Sequence, residues 1–120
     1  MTAGFAITAQ PIDAARHVLA VRGELDLFNA SELKAVFARC IEAGRIRIIV
    51  DLAETTFVDS SGLSVLMDAF KRLRSRDGTL AIVNLNERIA RILAITGLDQ
   101  TFTILPTREA AIDAVAASTR

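Results

Sequence analysis

The chain reads Phe57-Val58-Asp59-Ser60-Ser61-Gly62-Leu63 at the point where an apolar run meets an amphipathic segment. The run before it, residues 46–52, is rich in β-branched side chains, which is typical of a buried strand. The segment after it repeats apolar residues at helical spacing as far as Leu73. The junction therefore predicts a strand followed by a helix, with two adjacent hydroxyl groups at the helix start. Free backbone N–H groups and the positive end of the helix dipole favour an anion or an acceptor oxygen there.

Length and composition predict one domain over residues 1–120. Hydrophobic residues make up 52% of the chain, which is enough for a single core. The 14 basic and 14 acidic residues cancel, so we expect neither nucleic acid nor a membrane as a partner. No apolar run approaches a membrane span, and no leader pattern is visible. The single cysteine, Cys40, cannot form an internal disulfide, which is compatible with a reducing cytoplasm as the default compartment. It falls in an apolar helical stripe, which predicts a buried thiol.

Periodicity and turn residues divide the chain into alternating elements. The predicted strands are residues 5–12, 17–23, 46–52, 79–85 and 102–105, with a hairpin connection at 13–15 and a loop at 24–28. Helices are predicted after the capping residues Asn29, Asn86 and Thr107 and over about 61–75, with Gly44 and Gly97 as stops and fraying over 116–120. The predicted fold class is α/β, with a mixed sheet of about five strands, an N-terminal hairpin and about four helices.

Three stretches carry a family resemblance: Gly23-Glu24-Leu25-Asp26, then Val50-Asp51-Leu52 followed by residues 57–63, and Gly97-Leu98 with Phe102. With these stretches in this order, the chain resembles the STAS domain family, and within it the stand-alone bacterial anti-sigma factor antagonists. The resemblance covers nearly the whole chain, most clearly from the second strand onward. The Asp-Ser-Ser-Gly-Leu element at a strand-to-helix junction is its most specific part.

The resemblance implies a regulatory binding module with no catalytic residue. The sequence does not settle the oligomeric state, and a monomer is the default expectation. Ser60 would be the phosphate acceptor, and an anti-sigma factor that is also a serine kinase would be the partner. Phosphorylation would end the binding, and a metal-dependent serine phosphatase would restore it. The residues expected to contact the partner are Glu24, Asp26, Asp59, Ser61, Gly62 and Leu63.

Several roles stay open from the residues alone. Ser60 is either the N-cap of the helix or a free hydroxyl, since Asp59 is an equally good cap. Physics alone does not choose between Ser60 and Ser61 as the acceptor. Gly62 either lets a kinase approach closely or fills a tight strand-to-helix corner. Leu27-Phe28, apolar where polar residues are expected, either packs on the core or belongs to a docking face.

Two other functions compete with this one. A STAS subunit of a lipid-transport or stress-signalling complex would use the same surface as a constitutive docking site. An enzyme or nucleotide binder would use a cleft at Ser60. Against an esterase, the only histidine, His17, begins the strand whose other end leads to the site, and Gly-x-Ser-x-Gly is absent. The sequence has no phosphate-binding glycine loop and no metal-ligand cluster, so we expect no cofactor and no metal.

Overall fold

Residues 4–116 are described in a computed structural model of the chain. Within them the strands are β1 (Ala6–Pro11), β2 (Arg16–Leu25), β3 (Arg47–Val58), β4 (Thr79–Val83) and β5 (Thr103–Leu105). The helices are α1 (Ala30–Glu42), α2 (Ser60–Arg74), α3 (Glu87–Ile95) and α4 (Arg108–Ala116), with a short 3-10 turn at Leu98–Gln100. The predicted fold class is confirmed. Fraying was predicted for residues 116–120; of these, 117–120 lie outside the described residues, and Ala116 is the last residue of α4.

The strands form one sheet in the order β1-β2-β3-β4-β5, with β1 antiparallel to β2 and the remaining pairs parallel. Parallel crossovers are right-handed, and here each one advances to the next strand in the same direction, so their helices share one face. Residues of α1, α2 and α3 accordingly pack with Ile48 and Val50 of β3 in the main core. Within residues 4–116 no strand follows β5, and α4 packs on the opposite face against Val18 and Ile49.

The pairing of β2 with β3 continues beyond the rest of the sheet. β3 pairs with β4 only as far as Asp51, whereas its pairing with β2 continues to Val58 opposite Leu25. The predicted strand of residues 46–52 was therefore too short, and the predicted loop of 24–28 begins two residues later. Register shifts beside Arg22 and Gly23 break the simple alternation of side chains, which hid this extension in the sequence.

Thr55 and Gly23 stabilise this two-stranded extension. The buried Thr55 hydroxyl donates to the Val21 carbonyl at 2.7 Å, so the polar side chain is satisfied inside the sheet. Gly23 has a φ of 96°, and a Cβ there would lie 3.1 Å from the Gly4 carbonyl oxygen. The extension places the last residues of β2 and β3 side by side, immediately before α1 and α2.

The helix caps follow the predictions with one exception. Asn86 accepts from the N–H groups of Arg88 and Ile89, and Thr107 Oγ1 accepts from that of Ala110. Gly44 and Gly97 follow α1 and α3 with φ values of 83° and 79°, as helix stops of this kind require. Asn29 precedes α1 but makes no side-chain cap. Its predicted capping role is wrong because its Nδ2 donates instead to the Glu24 carbonyl at 2.8 Å.

The burial of Cys40 was predicted correctly, whereas the end of β4 was not. Cys40 is buried at 7% exposure, as its position in the apolar stripe predicted, and burial raises the pKa of its thiol. β4 ends at Val83 rather than at residue 85. It ends there because the side chain of Asn84 turns the backbone, its Oδ1 accepting from Asn86 N and its Nδ2 donating to Asn86 O, both at 3.1 Å.

Candidate functional site

Asp59, and not Ser60, is the N-cap of α2. Its backbone is extended, and its Oδ1 accepts from the N–H of Gly62 at 3.1 Å. Its carbonyl accepts the first helical bond, from Leu63 N at 3.0 Å. A carboxylate is well suited to this position because it both satisfies a free donor and faces the positive end of the helix dipole. The question left open by the sequence is therefore settled in favour of Asp59.

Ser60 is consequently the first helical residue, and it is exposed. No hydrogen bond to its hydroxyl is made within the described part of the chain. Ser61 is half-buried beside it. The two hydroxyls that the sequence left equivalent thus differ in accessibility, and Ser60 is the more accessible to a visiting protein.

Gly62 faces the protein interior. A Cβ at this position would lie 2.7 Å from the carbonyl oxygen and 2.8 Å from Cγ of Leu25, and 3.0 Å from a methyl carbon of Val58. The glycine is therefore needed where α2 contacts the ends of β2 and β3. Of its two interpretations the structure supports the tight corner, since Gly62 is buried there. The expectation that Gly62 contacts a partner stays a prediction. The neighbouring Leu63 is half-buried and packs against the main core.

The loop between β2 and α1 is ordered by its own side chains. Asp26 Oδ1 accepts from the N–H groups of Phe28 at 3.0 Å and Asn29 at 3.2 Å. This turn leaves Leu27 68% exposed and Phe28 86% exposed. The first alternative for this pair is thereby excluded, because neither side chain packs on the core, and their role in a docking face stays a prediction.

Asp59 also connects the two loops. Its Oδ2 accepts from the N–H of Leu27 at 3.1 Å, and its own N–H donates to the Leu25 carbonyl at 3.2 Å. These bonds hold the β2–α1 loop beside the start of α2. Phe57, 46% exposed, precedes Val58 at the same end of β3. We call Leu27, Phe28 and Phe57 the apolar rim of the Ser60 site.

The charges around Ser60 are negative. Glu24 is exposed, Asp26 and Asp59 are half-buried, and among the residues described none of the three forms an ion pair. The basic residues of α2 lie in its last turn, at the far end of the helix. The site therefore combines an exposed hydroxyl, an apolar rim and unpaired carboxylates.

Two residues of this edge were not anticipated as surface residues. Phe57 belongs to the junction motif and is 46% exposed, and Leu85, 72% exposed, follows β4 at the same carboxyl edge of the parallel strands. A signal for Leu85 was present, since it stands between the end of a strand and the helix cap Asn86. Exposed large apolar side chains of this kind mark interaction surfaces when they cluster.

The geometry also bears on the competing chemistries. Leu25 lies eight positions after His17 in β2, which is roughly 26 Å along the strand. His17 therefore cannot act as a base for Ser60 in one catalytic site. Between residues 4 and 116, no three His, Cys, Asp or Glu side chains lie close enough to hold a metal ion. In the same part of the chain, no helix has the length and hydropathy that a bilayer span requires.

Comparisons with known proteins agree with this arrangement. The chain is 37% identical over 78 residues to the anti-sigma-B factor antagonist of Listeria monocytogenes, an alignment that covers 65% of this chain and 68% of the relative. It is equally similar to the anti-sigma-B factor antagonist of Staphylococcus epidermidis, of which it covers 72%.

Solved structures and a family profile extend the match over most of the chain. The crystal structure of an anti-sigma factor antagonist from Mycobacterium paratuberculosis superposes with a TM-score of 0.86 at 26% identity, covering 94% of this chain and 95% of that one. The profile of the STAS domain matches residues 7–111, which includes all five strands except the first residue of β1, together with the Ser60 site. The chain belongs to the STAS domain family.

Proposed function

We propose that this protein is an anti-sigma factor antagonist whose unphosphorylated form binds an anti-sigma factor serine kinase through the Ser60 site. Binding would release the sigma factor that the kinase holds. Phosphorylation of Ser60 by the same kinase would end the binding, and a serine phosphatase would restore it. The names of the two curated relatives support the class of partner. The protein itself would bind and be modified, and would carry out no catalysis.

One observation carries this proposal: Asp59 caps α2, so the exposed Ser60 hydroxyl is not engaged by the helix. Had Ser60 been the cap, a kinase would have had to break a helix-terminal hydrogen bond to reach its oxygen. The apolar rim of Leu27, Phe28 and Phe57 lies on the two segments that Asp59 joins, which supports contact of both with one partner. A docking surface commonly has an apolar centre with polar groups around it.

Charge explains why phosphorylation would act as a switch. A phosphoryl group adds about −1.5 to −2 charge at neutral pH. The new charge would lie beside Asp59, which also holds the segment that carries Glu24 and Asp26. A partner surface that fitted the free hydroxyl would then clash with the phosphoryl group, and any acidic group on that surface would be repelled by the added negative charge. A coupling of about 1–3 kcal/mol is usual for such switches and weakens binding about tenfold or more. The amino end of α2 favours an anion, so the fold itself would tolerate the modification.

The acceptor can be tested directly. The protein is incubated with each candidate anti-sigma serine kinase of its own genome, Mg²⁺ and ATP, and the modified residue is mapped by mass spectrometry. We expect phosphate on Ser60, none on a Ser60→Ala variant, and undiminished incorporation in a Ser64→Ala control, since Ser64 is also exposed on α2. Phosphate that moves to Ser61, or that persists in Ser60→Ala, would overturn the choice of acceptor.

The switch is tested by affinity. By calorimetry, Ser60→Ala should bind the kinase as the parent does and stay bound in the presence of ATP, whereas Ser60→Asp should bind about tenfold more weakly or worse. Equal binding of all three proteins, with no phosphate incorporated, would instead identify a constitutive docking module. In that case a transporter or stress-signalling complex should copurify with the protein.

A further inference from the structure

A groove of about 360 Å³ lies at the end of the sheet opposite to Ser60. It is bounded by the hairpin strands β1 and β2, the last turns of α1 and the segment before β3. Its apolar lining is Ile7, Ala9 and Val36, and its polar lining is His17, Arg39 and Arg45. The buried thiol of Cys40 completes the wall. The groove is therefore apolar on one side and cationic on the other, and no carboxylate lines it.

The two arginines have no partners in the described part of the chain. Neither guanidinium makes a hydrogen bond or an ion pair there, and the Nε of Arg45 is buried without an acceptor. Asp13, whose charge acts on His17, is already paired with Arg16 at 2.8 Å. A solvated arginine at a helix end would explain Arg39, because cations suit the carboxyl end of a helix. It does not explain Arg45, since buried donors in folded proteins nearly always have an acceptor.

The electrostatic effects on neighbouring groups show that these charges converge on the groove. Burial lowers the pKa of His17, and the charge of Arg45 lowers it further. Burial raises the pKa of the Cys40 thiol, while Arg45 and Arg39 act in the opposite direction. The charges of both arginines thus affect the pKa of groups that line the groove. In a chain whose charges cancel overall, this is a local excess of positive charge.

We propose that this groove binds a small organic anion, a phosphate monoester or a carboxylate with a short hydrocarbon body, through the guanidinium groups of Arg39 and Arg45. Guanidinium groups present parallel N–H donors to both kinds of head group. Those of Arg39 and Arg45 make no hydrogen bond or ion pair within residues 4–116. The hydrocarbon body would cover Ile7, Ala9 and Val36. The volume falls within the usual range of small-molecule sites, about 300–1,000 Å³. This site is independent of the proposed partner switching, since it lies at the other end of the sheet.

The test uses the full chain, labelled with ¹⁵N, at constant salt. It is titrated separately with butyl phosphate, butyrate, inorganic phosphate and butanol while the amide signals are followed by NMR. We expect saturable shifts at Ile7, His17 and Cys40 with an organic anion, weaker ones with inorganic phosphate and none with butanol. The organic anion that binds more tightly identifies the head group.

A double variant, Arg39→Gln with Arg45→Gln, should bind the better anion about tenfold more weakly or worse, since hydrogen bonds to charged groups are lost. Arg91→Gln, at an exposed position of α3 outside the groove, should bind as the parent does. If the double variant does not fold, Arg39→Gln alone gives the same test at an exposed position. Absence of saturable shifts, shifts centred on Ser60, or unchanged binding by a folded arginine variant would overturn the proposal.

Discussion

The carboxylate of Asp59 accepts a hydrogen bond from the backbone N–H of Leu27 at 3.1 Å, across 32 residues of sequence. Its other oxygen accepts from Gly62, also at 3.1 Å, at the start of α2. One side chain therefore caps a helix and holds a neighbouring loop in place. Because the bond to Leu27 uses the backbone, the Leu27 side chain stays 68% exposed and available for contact.

Replacing Asp59 should destabilise the protein. Asp59→Ala removes both bonds, and loss of an N-cap alone costs about 0.5–2 kcal/mol in free energy of unfolding. Asp59→Asn keeps one acceptor oxygen, so its free energy of unfolding should fall less than that of Asp59→Ala. Urea unfolding followed by circular dichroism measures both, with Asp68→Ala as a control at an exposed position in the middle of α2. An Asp59→Ala protein as stable as the parent would contradict the dual role.

Gly62→Ala should also destabilise the protein, although alanine is the better helix former by about 1 kcal/mol. Its Cβ would lie 2.7 Å from the backbone carbonyl oxygen of Leu25, which cannot move without distorting the end of β2. Overpacking of this kind costs about 1–3 kcal/mol in free energy of unfolding. Ser64→Ala, exposed on the same helix, should be neutral or slightly stabilising in the same urea titration. A stabilised Gly62→Ala variant would show that the corner has room.

The ion pair between Asp51 and Arg108 should anchor α4. Arg108 Nε and Nη2 lie 3.0 and 2.8 Å from Asp51 Oδ2, and Asp51 is only 8% exposed. Arg108→Ala leaves that carboxylate without its partner, which should cost about 1–3 kcal/mol in free energy of unfolding.

A double-mutant cycle separates this pair from other effects of the arginine. The double variant Asp51→Asn/Arg108→Ala should lose less stability than the sum of the two single variants, because its remaining side chain carries no unpaired charge. Arg88→Ala, near the start of α3, serves as a control for the loss of an exposed arginine. Simple additivity in the cycle would show that the two residues do not interact.

His17 should make stability depend on pH. Burial holds its pKa below the ordinary value of 6.5. Between that value and the lower pKa of the folded state only the unfolded chain takes up the proton, so acidification through this range favours unfolding. The contribution of neutral His17 to the free energy of unfolding is fully present above pH 6.5. It is lost as the pH falls toward the pKa of His17 in the folded state.

Urea midpoints at pH 7.5 and 5.5, in a buffer without phosphate, measure this effect. The parent should lose more stability over this interval than His17→Gln, whose side chain does not titrate. An NMR titration of the His17 ring in the folded protein gives the pKa itself. A value at or above 6.5 would contradict the effect of burial.

Phe28→Ser should separate binding from folding. Phe28 is 86% exposed, so its replacement should change the free energy of unfolding by no more than about 0.5 kcal/mol. If the apolar rim is the docking surface, affinity for the anti-sigma factor should fall about tenfold, as expected for an aromatic contact at an interface. Ile95→Ser, 77% exposed at the end of α3, should leave affinity unchanged. Equal affinity of the Phe28 variant and the parent would remove the rim from the interface.

Much of the fold was readable from local pattern. The apolar run of residues 46–52, the helical stripe after Leu63 and the stops at Gly44 and Gly97 each depend on neighbours a few positions away. The predicted strands and helices were therefore found. The errors occurred where a distant segment takes part. Residues 24–25 continue β2 only because β3 runs on to Val58 beside them.

Some features of the Ser60 site likewise depend on local sequence, and others depend on distant segments. The sequence alone determined that an acidic, serine-containing turn joins a buried strand to an amphipathic helix, because that information is local. Only the tertiary structure decided that Asp59 is the cap, that Gly62 is needed against Leu25, and that Leu27 and Phe28 are exposed. The Gly62 contact and the bond that holds the loop depend on backbone groups more than 30 positions away, brought together by the pairing of β2 with β3. The periodicity of side chains along the sequence reflects local structure and does not predict such long-range contacts.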